Sequence, residues 1–360
     1  MENFIKNLRI SNFKSIREAE LSCGRINLFV GKPNVGKSNL LEALSLLGAP
    51  FNSSSKFLSD FIRYERVKNL FSFSKTEVPI LVDSEIGGAI LFHDYQSDTS
   101  ELFIGPPSAI HHMQKERLNR DDFRNRFKDS KGSLKPGVVS HIQDNGKSQG
   151  FFGDSYSPVK KYSFDPKQSI DKRDRSFLLP PYGTNLFAVL ESTQRLKEEI
   201  PELFEEYGYE FLIDDETSSF YLLKREKRIG YKIPYSLVAD TLQRIIFHYA
   251  AIFSNKESVI LFEEPESHSF PPYVKELALK IVESTENQFF ITTHSPHLFT
   301  TIVEETEPAD LAVFITYFEN YETKFKKLDT DDINDILNGG VNIFFNQKWF
   351  LNEENTPSFA

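Results

Sequence analysis

Residues 31–38 bring two glycines, a lysine and a serine together at the spacing G-x-x-x-x-G-K-[ST], the P-loop pattern. The glycines allow backbone N–H groups to turn toward phosphates, Lys37 can reach the β- and γ-phosphates, and the Ser38 hydroxyl can hold Mg²⁺. We therefore expect a bound nucleoside triphosphate. The expected binding residues are Gly31, Asn34, Val35, Gly36, Lys37, Ser38 and Asn39.

A predicted strand precedes this loop and a predicted helix follows it. Ile26–Val30 is a run of apolar residues typical of a buried strand, and residues 38–44 have the composition of a helix. A glycine-containing turn before an ordinary helix is the alternative to a P-loop. The strand–loop–helix order favours the P-loop.

Two carboxylates and a histidine follow far downstream, each at the end of a predicted strand. Residues 259–264 have the Walker B form, in which Glu263 would coordinate Mg²⁺ and Glu264 would orient or deprotonate the attacking water. A further strand, residues 288–293, places His294 where an imidazole can contact a γ-phosphate. Taken alone, the acids would be a solvated strand end and the histidine a structural residue, but their order after a P-loop favours the catalytic interpretation.

Together these motifs resemble ATP-binding-cassette-type (ABC-type) ATPases of the RecF, SMC and OLD (overcoming lysogenisation defect) group. The resemblance rests on residues 10–16, 31–43, 261–268 and 292–297. It covers both ends of the chain well and the middle poorly. It implies an α/β P-loop NTPase fold with an ABC-ATPase-like head, Mg²⁺-dependent ATP hydrolysis, and a head-to-head dimer, or a higher oligomer of dimers, that sandwiches two ATP molecules.

In such dimers a signature segment of one subunit meets the nucleotide held by the other. The resemblance places this segment at residues 236–244, with Ser236 and Thr241 as the candidate contacts. The usual signature has a glycine soon after its serine, and this segment has none. A second departure is Glu263, because many relatives have aspartate there; a longer carboxylate can still reach Mg²⁺ directly or through water.

The predicted organisation is a split nucleotide lobe with inserted segments. Residues 1–105 and 258–345 form the nucleotide lobe, residues 106–180 an irregular basic insertion, residues 181–257 a second lobe, and residues 346–360 a tail. Strands are expected near 3–10, 26–30, 78–83, 88–93, 208–214, 219–223, 310–317 and 322–326, and helices near 184–206 and from about 236. Arg63 is interpreted first as a surface helix residue and second as a phosphate contact.

The insertion differs from the rest of the chain in charge. Residues 111–175 hold 15 Lys and Arg against 9 Asp and Glu, a net of +6, so the remainder carries −10 − 6 = −16. Such a basic island could contact DNA or RNA, or an acidic partner. A solvated loop that pairs with the acidic body is an equally open interpretation. The cations expected to contact phosphates are Lys160, Lys161, Lys172, Arg173 and Arg175.

Composition indicates where the protein works. Hydrophobic residues make up 39% of 360 residues and include 34 Phe, enough for a large core, and the single Cys23 favours a reducing compartment. The N-terminus does not read as a signal peptide, and no apolar run approaches the about 20 residues that span a bilayer. We therefore expect a cytoplasmic protein that does not associate with membranes.

The function predicted from these features is a stand-alone ATPase without the metal-nuclease domain of OLD proteins. Its acids at 329–335 are interpreted as a capped helix start, with a metal nuclease site as the lesser alternative. The ATP cycle would switch a DNA-directed activity or a separate effector, a nuclease or toxin, in bacterial DNA repair or anti-phage defence. The rival hypothesis is a slow-turnover scaffold or sensor that holds an effector. Small-molecule phosphotransfer is disfavoured by the distant Walker B motif and by His294.

Overall fold

The computed structural model describes residues 3–49, 57–105, 138–148, 157–167, 175–339 and 342–351. The strands in these residues are β1 (Asn7–Phe13), β2 (Ile16–Ser22), β3 (Ile26–Val30), β4 (Ile80–Ser84), β5 (Gly87–Asp94), β6 (Thr99–Gly105), β7 (Val138–Gln143), β8 (Val159–Tyr162), β9 (Glu210–Asp214), β10 (Ser219–Glu226), β11 (Ile229–Pro234), β12 (Val259–Glu263), β13 (Gln288–Thr292), β14 (Leu311–Glu319) and β15 (Glu322–Lys327). The α-helices are α1 (Lys37–Gly48), α2 (Leu186–Ser192), α3 (Gln194–Glu205), α4 (Asp240–Ser254), α5 (Pro271–Glu283), α6 (Pro296–Glu305), α7 (Thr330–Leu337) and α8 (Gln347–Leu351).

A six-stranded sheet carries the predicted motifs. Its order is β15-β14-β3-β13-β12-β8, and all neighbours are parallel except β14 and β15. Leu28 and Phe29 are both fully buried but pack into hydrophobic clusters on opposite faces of this sheet. Burial on both faces explains why the strand sequences are continuous apolar runs. Because parallel strands end at the same edge, the loops that follow β3, β12 and β13 lie together.

The two faces of this central sheet are covered differently. On one face lie α1 and a second sheet, ordered β2-β1-β4-β5-β6-β7 and antiparallel throughout. On the other face lie α2 to α6 and a small antiparallel sheet, β11-β10-β9. A largely parallel central sheet, covered by helices and by two antiparallel sheets, confirms the predicted α/β class. The strands predicted at 3–10 and near 80 and 90 occur with shifted boundaries.

Several local predictions need correction. The helix expected over 184–206 is two helices, since the chain leaves helical geometry at Thr193, whose φ and ψ are −98° and 107°. The helix expected from about Ser236 begins at Asp240. The acids near 330 do form a capped helix start, and the cap is Asp329, which accepts a hydrogen bond of 2.8 Å from the Asp332 amide.

The basic insertion is less irregular than predicted. Of its residues, 106–137, 149–156 and 168–174, with Lys172 and Arg173, lie outside the described part of the chain. The described part contains β7 and β8, and β8 pairs in parallel with β12 as an edge strand of the central sheet. Lys160 and Lys161 on β8 are only 7% and 5% exposed and hydrogen-bond within the chain, so the prediction that they contact nucleic-acid phosphates is wrong.

In the residues that the structure describes, no helix is both long and apolar enough to cross a membrane.

Candidate nucleotide site

Two glycines of the P-loop sit against backbone and side chains that leave no space for a Cβ atom. A Cβ on Gly31 would lie 2.2 Å from the Thr316 carbonyl oxygen, and one on Gly36 would lie 2.1 Å from Thr323 Oγ1. Gly36 also has φ of 98°, a conformation that L-residues rarely adopt. The loop therefore requires glycine at both positions, and its walls come from β14 and β15.

Lys37 closes the loop on itself. Its Nζ donates hydrogen bonds of 2.9 Å to the carbonyl oxygens of Gly31 and Lys32. Burial lowers the pKa of the Lys37 amine, while the nearby carboxylates of Glu264 and Glu263 oppose that shift. The cation thus lies within electrostatic reach of both Walker B acids, as the predicted role at the β- and γ-phosphates requires.

A series of hydrogen bonds ties the P-loop to the β1–β2 and β14–β15 hairpins. Asn39 Nδ2 donates to Ser15 Oγ at 2.7 Å, Ser15 Oγ lies 2.6 Å from Thr323 Oγ1, and Thr323 Oγ1 donates to the Val35 carbonyl at 2.8 Å. The Thr323 amide also donates to the Ser15 carbonyl. Sequence reasoning included Ser15 in the resemblance but missed Thr323, because no local motif marks a residue that reaches the loop from a distant hairpin.

Glu263, the predicted metal ligand, ends β12 between two cations. Its Oε1 lies 3.1 Å from Arg63 Nη2 and its Oε2 lies 3.2 Å from Lys161 Nζ. Burial by itself raises the pKa of this carboxyl, but Lys161, a hydrogen bond with the Ser38 hydroxyl and Arg63 together lower it below its ordinary value. Glu263 is therefore a carboxylate at neutral pH, and it adjoins Ser38 as a shared Mg²⁺ site requires.

Arg63 connects this carboxylate to the P-loop helix. Its Nε lies 2.9 Å from Oε1 of Glu42, whose side chain on α1 is fully buried, and Lys14 pairs with the other oxygen of Glu42. Arg63 lies in a loop and not in a helix, so the first interpretation of this residue is wrong. Ion pairs therefore run from Lys14 through Glu42, Arg63 and Glu263 to Lys161. This network was not predicted, since its residues come from separate parts of the sequence.

Glu264 and His294 contact each other within electrostatic reach of Lys37. Glu264 Oε1 lies 3.3 Å from His294 Nε2, and their side chains are 42% and 38% exposed. Burial and the neighbouring Lys37 cation lower the pKa of the His294 imidazole, against an opposing effect of Glu264. The imidazole is therefore neutral at pH 7, and the two side chains place a donor and an acceptor side by side for a water or a phosphate oxygen.

Glu266 holds the histidine loop in place. Its Oε1 accepts hydrogen bonds from Thr293 Oγ1 at 2.6 Å and from the amides of His294 and Ser295 at 2.8 and 3.1 Å. Burial raises the pKa of this carboxyl, and its Oε2 is buried without a hydrogen-bond partner among the described residues. Sequence reasoning placed Glu266 within the resemblance but gave it no role.

The signature-like segment occupies a different part of the molecule. Ser236 is exposed in a short 3₁₀ turn, Tyr235–Leu237, and precedes the first turn of α4. Thr241 Oγ1 donates to the His268 carbonyl at 2.8 Å, so this hydroxyl is bonded within its own chain. Among the described residues, no contact joins Ser236 or Thr241 to the P-loop of the same chain.

Lys37, Glu264 and His294 thus converge where three neighbouring parallel strands end, which defines the chain as a P-loop ATPase. The chain belongs to the family described as AAA domain, putative AbiEii toxin, Type IV TA system, whose model matches residues 26–300. The matched range includes the P-loop, both acids and the histidine.

Two proteins are similar to this chain in sequence, one over a short segment and one over nearly its whole length. An uncharacterized protein of Methanocaldococcus jannaschii is 43% identical over 63 residues, which cover 17% of this chain and about a quarter (27%) of that protein. A Helicobacter pylori protein named ATP/GTP phosphatase is 22% identical over 356 residues, covering 91% of this chain and 93% of that protein.

Solved SMC head domains are also similar to the chain. One, bound to the C-winged helix domain of ScpA, has a TM-score of 0.47 at 16% identity and covers 92% of this chain and 99% of its own. Another, from Thermotoga maritima, has a TM-score of 0.41 at 13% identity and covers 91% and 99%.

Proposed function

We propose that this ATPase hydrolyses Mg²⁺-ATP with Glu264 as the residue that orients the attacking water. The observation that carries the proposal is the 3.3 Å contact between Glu264 Oε1 and His294 Nε2, beside the Lys37 cation. A carboxylate so placed can accept a hydrogen bond or a proton from water, and a neutral imidazole can donate to a phosphate oxygen.

Ser38 and Glu263 would hold the Mg²⁺ ion. The Ser38 hydroxyl helps to lower the pKa of the Glu263 carboxyl, which indicates that the two groups are neighbours, and hard oxygen ligands suit this ion. When bound, the ion would neutralise charge on the β- and γ-phosphates. The polypeptide supplies the remaining groups: the loop amides and Lys37 bind the triphosphate, and Glu264 and His294 flank its terminal phosphate.

The proposed active form is a head-to-head dimer around two ATP molecules. The exposed Ser236 supports a contact with nucleotide in trans, and its neighbour Leu237 (74% exposed) lines one cavity together with Phe270 (62%). Since Thr241 is bonded to His268, Ser236 is the better candidate of the two signature residues. ATP binding would then close the dimer and hydrolysis would open it.

The output of this cycle would be a DNA-directed activity or a separate effector, in DNA repair or anti-phage defence. The family description, which names a putative toxin and a type IV toxin–antitoxin system, supports the effector and defence branch of this proposal. A cytoplasmic location follows from that role.

A slow-turnover scaffold or sensor is the second candidate function. It is favoured by the two cations, Arg63 and Lys161, that already occupy both oxygens of Glu263. A metal ion must compete with them for this carboxylate. Steady-state ATPase turnover of the wild-type protein separates the two functions, because a scaffold would hold ATP for long periods and hydrolyse it only slowly.

The Glu264→Gln variant tests the proposed cycle directly. It keeps the shape of the side chain but loses the base, so hydrolysis should fall by about 10²–10⁴-fold while ATP stays bound. With hydrolysis blocked, the protein should accumulate as a dimer in Mg²⁺-ATP, which light scattering measures as a doubled mass. Glu257→Gln, at a loop glutamate outside the site, is the control. A variant that binds ATP yet stays monomeric would reject the sandwich dimer.

A further inference from the structure

The hairpin that joins β14 to β15 rises beside the P-loop. Pairing between β14 and β3 ends at Ile315 and Val30, yet β14 continues to Glu319. At about 3.4 Å per residue, these four residues extend roughly 14 Å past the carboxyl end of β3, where the P-loop begins. The hairpin tip therefore stands next to the loop and not beneath it.

The face of the hairpin that looks toward the P-loop is set by Thr323, whose hydroxyl contacts the Val35 carbonyl. Phe318 is paired with Thr323 across the two strands, and directly opposed residues place their side chains on the same face. The Thr323 amide donates to Ser15 and not to Phe318, so the pair is of the non-hydrogen-bonded kind with the closer side chains. Phe318 therefore lies on the P-loop side, with its side chain 48% exposed.

Tyr321 adds a second exposed ring at the tip. Asn320 and Tyr321 form a two-residue turn with φ of 50° and 63°, and Tyr321 is 77% exposed. Asparagine and glycine fit such turns with the least strain, so turn geometry gives no reason for tyrosine at the second position. The large aromatic side chain at this position is thus unexplained by the fold of the hairpin itself.

The sheet order fixes which end of a bound nucleotide faces this hairpin. Glu264 and His294 follow β12 and β13, which lie on one side of β3, whereas β14 and β15 lie on its other side. If the γ-phosphate lies at Glu264, the triphosphate must run across the loop away from it. The nucleoside then emerges on the β14–β15 side.

We propose that Phe318, flanked by Tyr321, stacks on the nucleobase of the bound nucleotide. This inference rests on the proposed direction of ATP across the P-loop. Aromatic rings stack on any base and favour larger ones, so the contact would strengthen purine nucleotides over pyrimidine nucleotides without separating ATP from GTP.

Isothermal titration of the full chain with ATP, GTP, CTP and inorganic tripolyphosphate tests the proposal. One stacked base corresponds to roughly 5- to 150-fold in affinity, so Phe318→Ser should weaken ATP and GTP binding within that range. Tripolyphosphate binding should stay within about twofold, since it has no base, and Phe318→Trp should retain ATP affinity. Tyr231→Ser, at a half-exposed aromatic of the small sheet, is the control and should bind ATP as the wild type does.

Two results would overturn the stacking contact. In the first, Phe318→Ser and the double variant that adds Tyr321→Ser both bind ATP with wild-type affinity. In the second, both variants lose affinity for ATP and for tripolyphosphate by the same factor, which would mean that the hairpin only supports the P-loop. If the wild-type protein binds neither ATP nor tripolyphosphate, the P-loop assignment itself is wrong. That result would contradict the proposed function, whereas the two results above contradict only the stacking contact.

Discussion

Arg63 Nη2 lies 3.1 Å from Glu263 Oε1, so an arginine cation is paired with the carboxylate that is proposed to bind Mg²⁺. The same guanidinium contacts the buried Glu42 on the P-loop helix through Nε. Arg63 therefore couples the loop that binds phosphates to the strand that carries the metal ligand. Because its side chain is 71% exposed, it can leave this position without opening the core.

Removing this cation should change the metal requirement. Arg63→Gln frees one oxygen of Glu263, and a partly exposed ion pair is worth about 0.2–1 kcal/mol, so the Mg²⁺ concentration for half-maximal turnover should fall by up to about fivefold. ATPase assays over a Mg²⁺ titration measure this. Arg66→Gln, at a similarly exposed arginine paired with Asp144, should leave the titration unchanged. A loss of turnover at unaltered Mg²⁺ dependence would indicate that Arg63 contacts the phosphates instead.

Lys37→Ala should abolish tight ATP binding, since it removes the cation that the motif directs at the β- and γ-phosphates. Titration with a fluorescent ATP analogue measures the affinity. Lys32→Ala alters an exposed lysine of the same loop, at a position the motif leaves variable, and should have a much smaller effect. Unchanged affinity in a folded Lys37→Ala protein would remove the P-loop assignment.

His294→Ala should slow hydrolysis without abolishing ATP binding. Loss of one donor to a phosphate oxygen that gains charge typically costs about 10²–10³-fold in turnover. The neighbouring His297 is exposed one residue into α6, and His297→Ala provides the matched control. A His294→Ala rate equal to that of the wild type would make the histidine a structural residue.

His248 on α4 predicts a pH dependence of stability. Its ring is buried against Phe262, and burial lowers the pKa of the imidazole to about 3. The unfolded chain binds this proton near pH 6.5, so stability is fully present above pH 6.5 and is lost as pH falls toward 3. The free energy of unfolding should fall by about 2 kcal/mol between pH 7 and pH 5 from this group. Urea denaturation of the wild type and of His248→Leu measures the difference, and an equal loss in both proteins would contradict it.

The parts of the site that sequence predicts are those carried by contiguous residues. The P-loop, Glu263, Glu264 and His294 each follow a buried strand, so local pattern locates them and parallel pairing brings them together. Lys161 could not be found in this way. It lies in a segment whose composition suggests a mobile loop, and only pairing of β8 with β12 places it beside Glu263.

Helix boundaries illustrate the same limit. The apolar pattern of α2 and α3 continues through Thr193, so periodicity alone predicts one helix, whereas the backbone at Thr193 is extended and separates two helices. Residues 236–244 matched the expected signature poorly, and the structure puts a 3₁₀ turn and a helix start there. A weak motif such as the signature-like segment locates a region only approximately, whereas the P-loop and Walker B motifs identify individual residues.

The hydrogen bond between Ser15 and Thr323 joins residues that are 308 positions apart. A ribosome that adds 5–20 residues per second needs roughly 15–60 s to travel that distance, and during this time the P-loop is already synthesised but lacks the hydroxyl that fixes the Val35 carbonyl. Nascent chains therefore acquire a complete nucleotide cradle only after Thr323 has been synthesised. Chains that extend past Thr323 would then capture ATP and shorter ones would not, which delays the start of the catalytic cycle until the β14–β15 hairpin has formed.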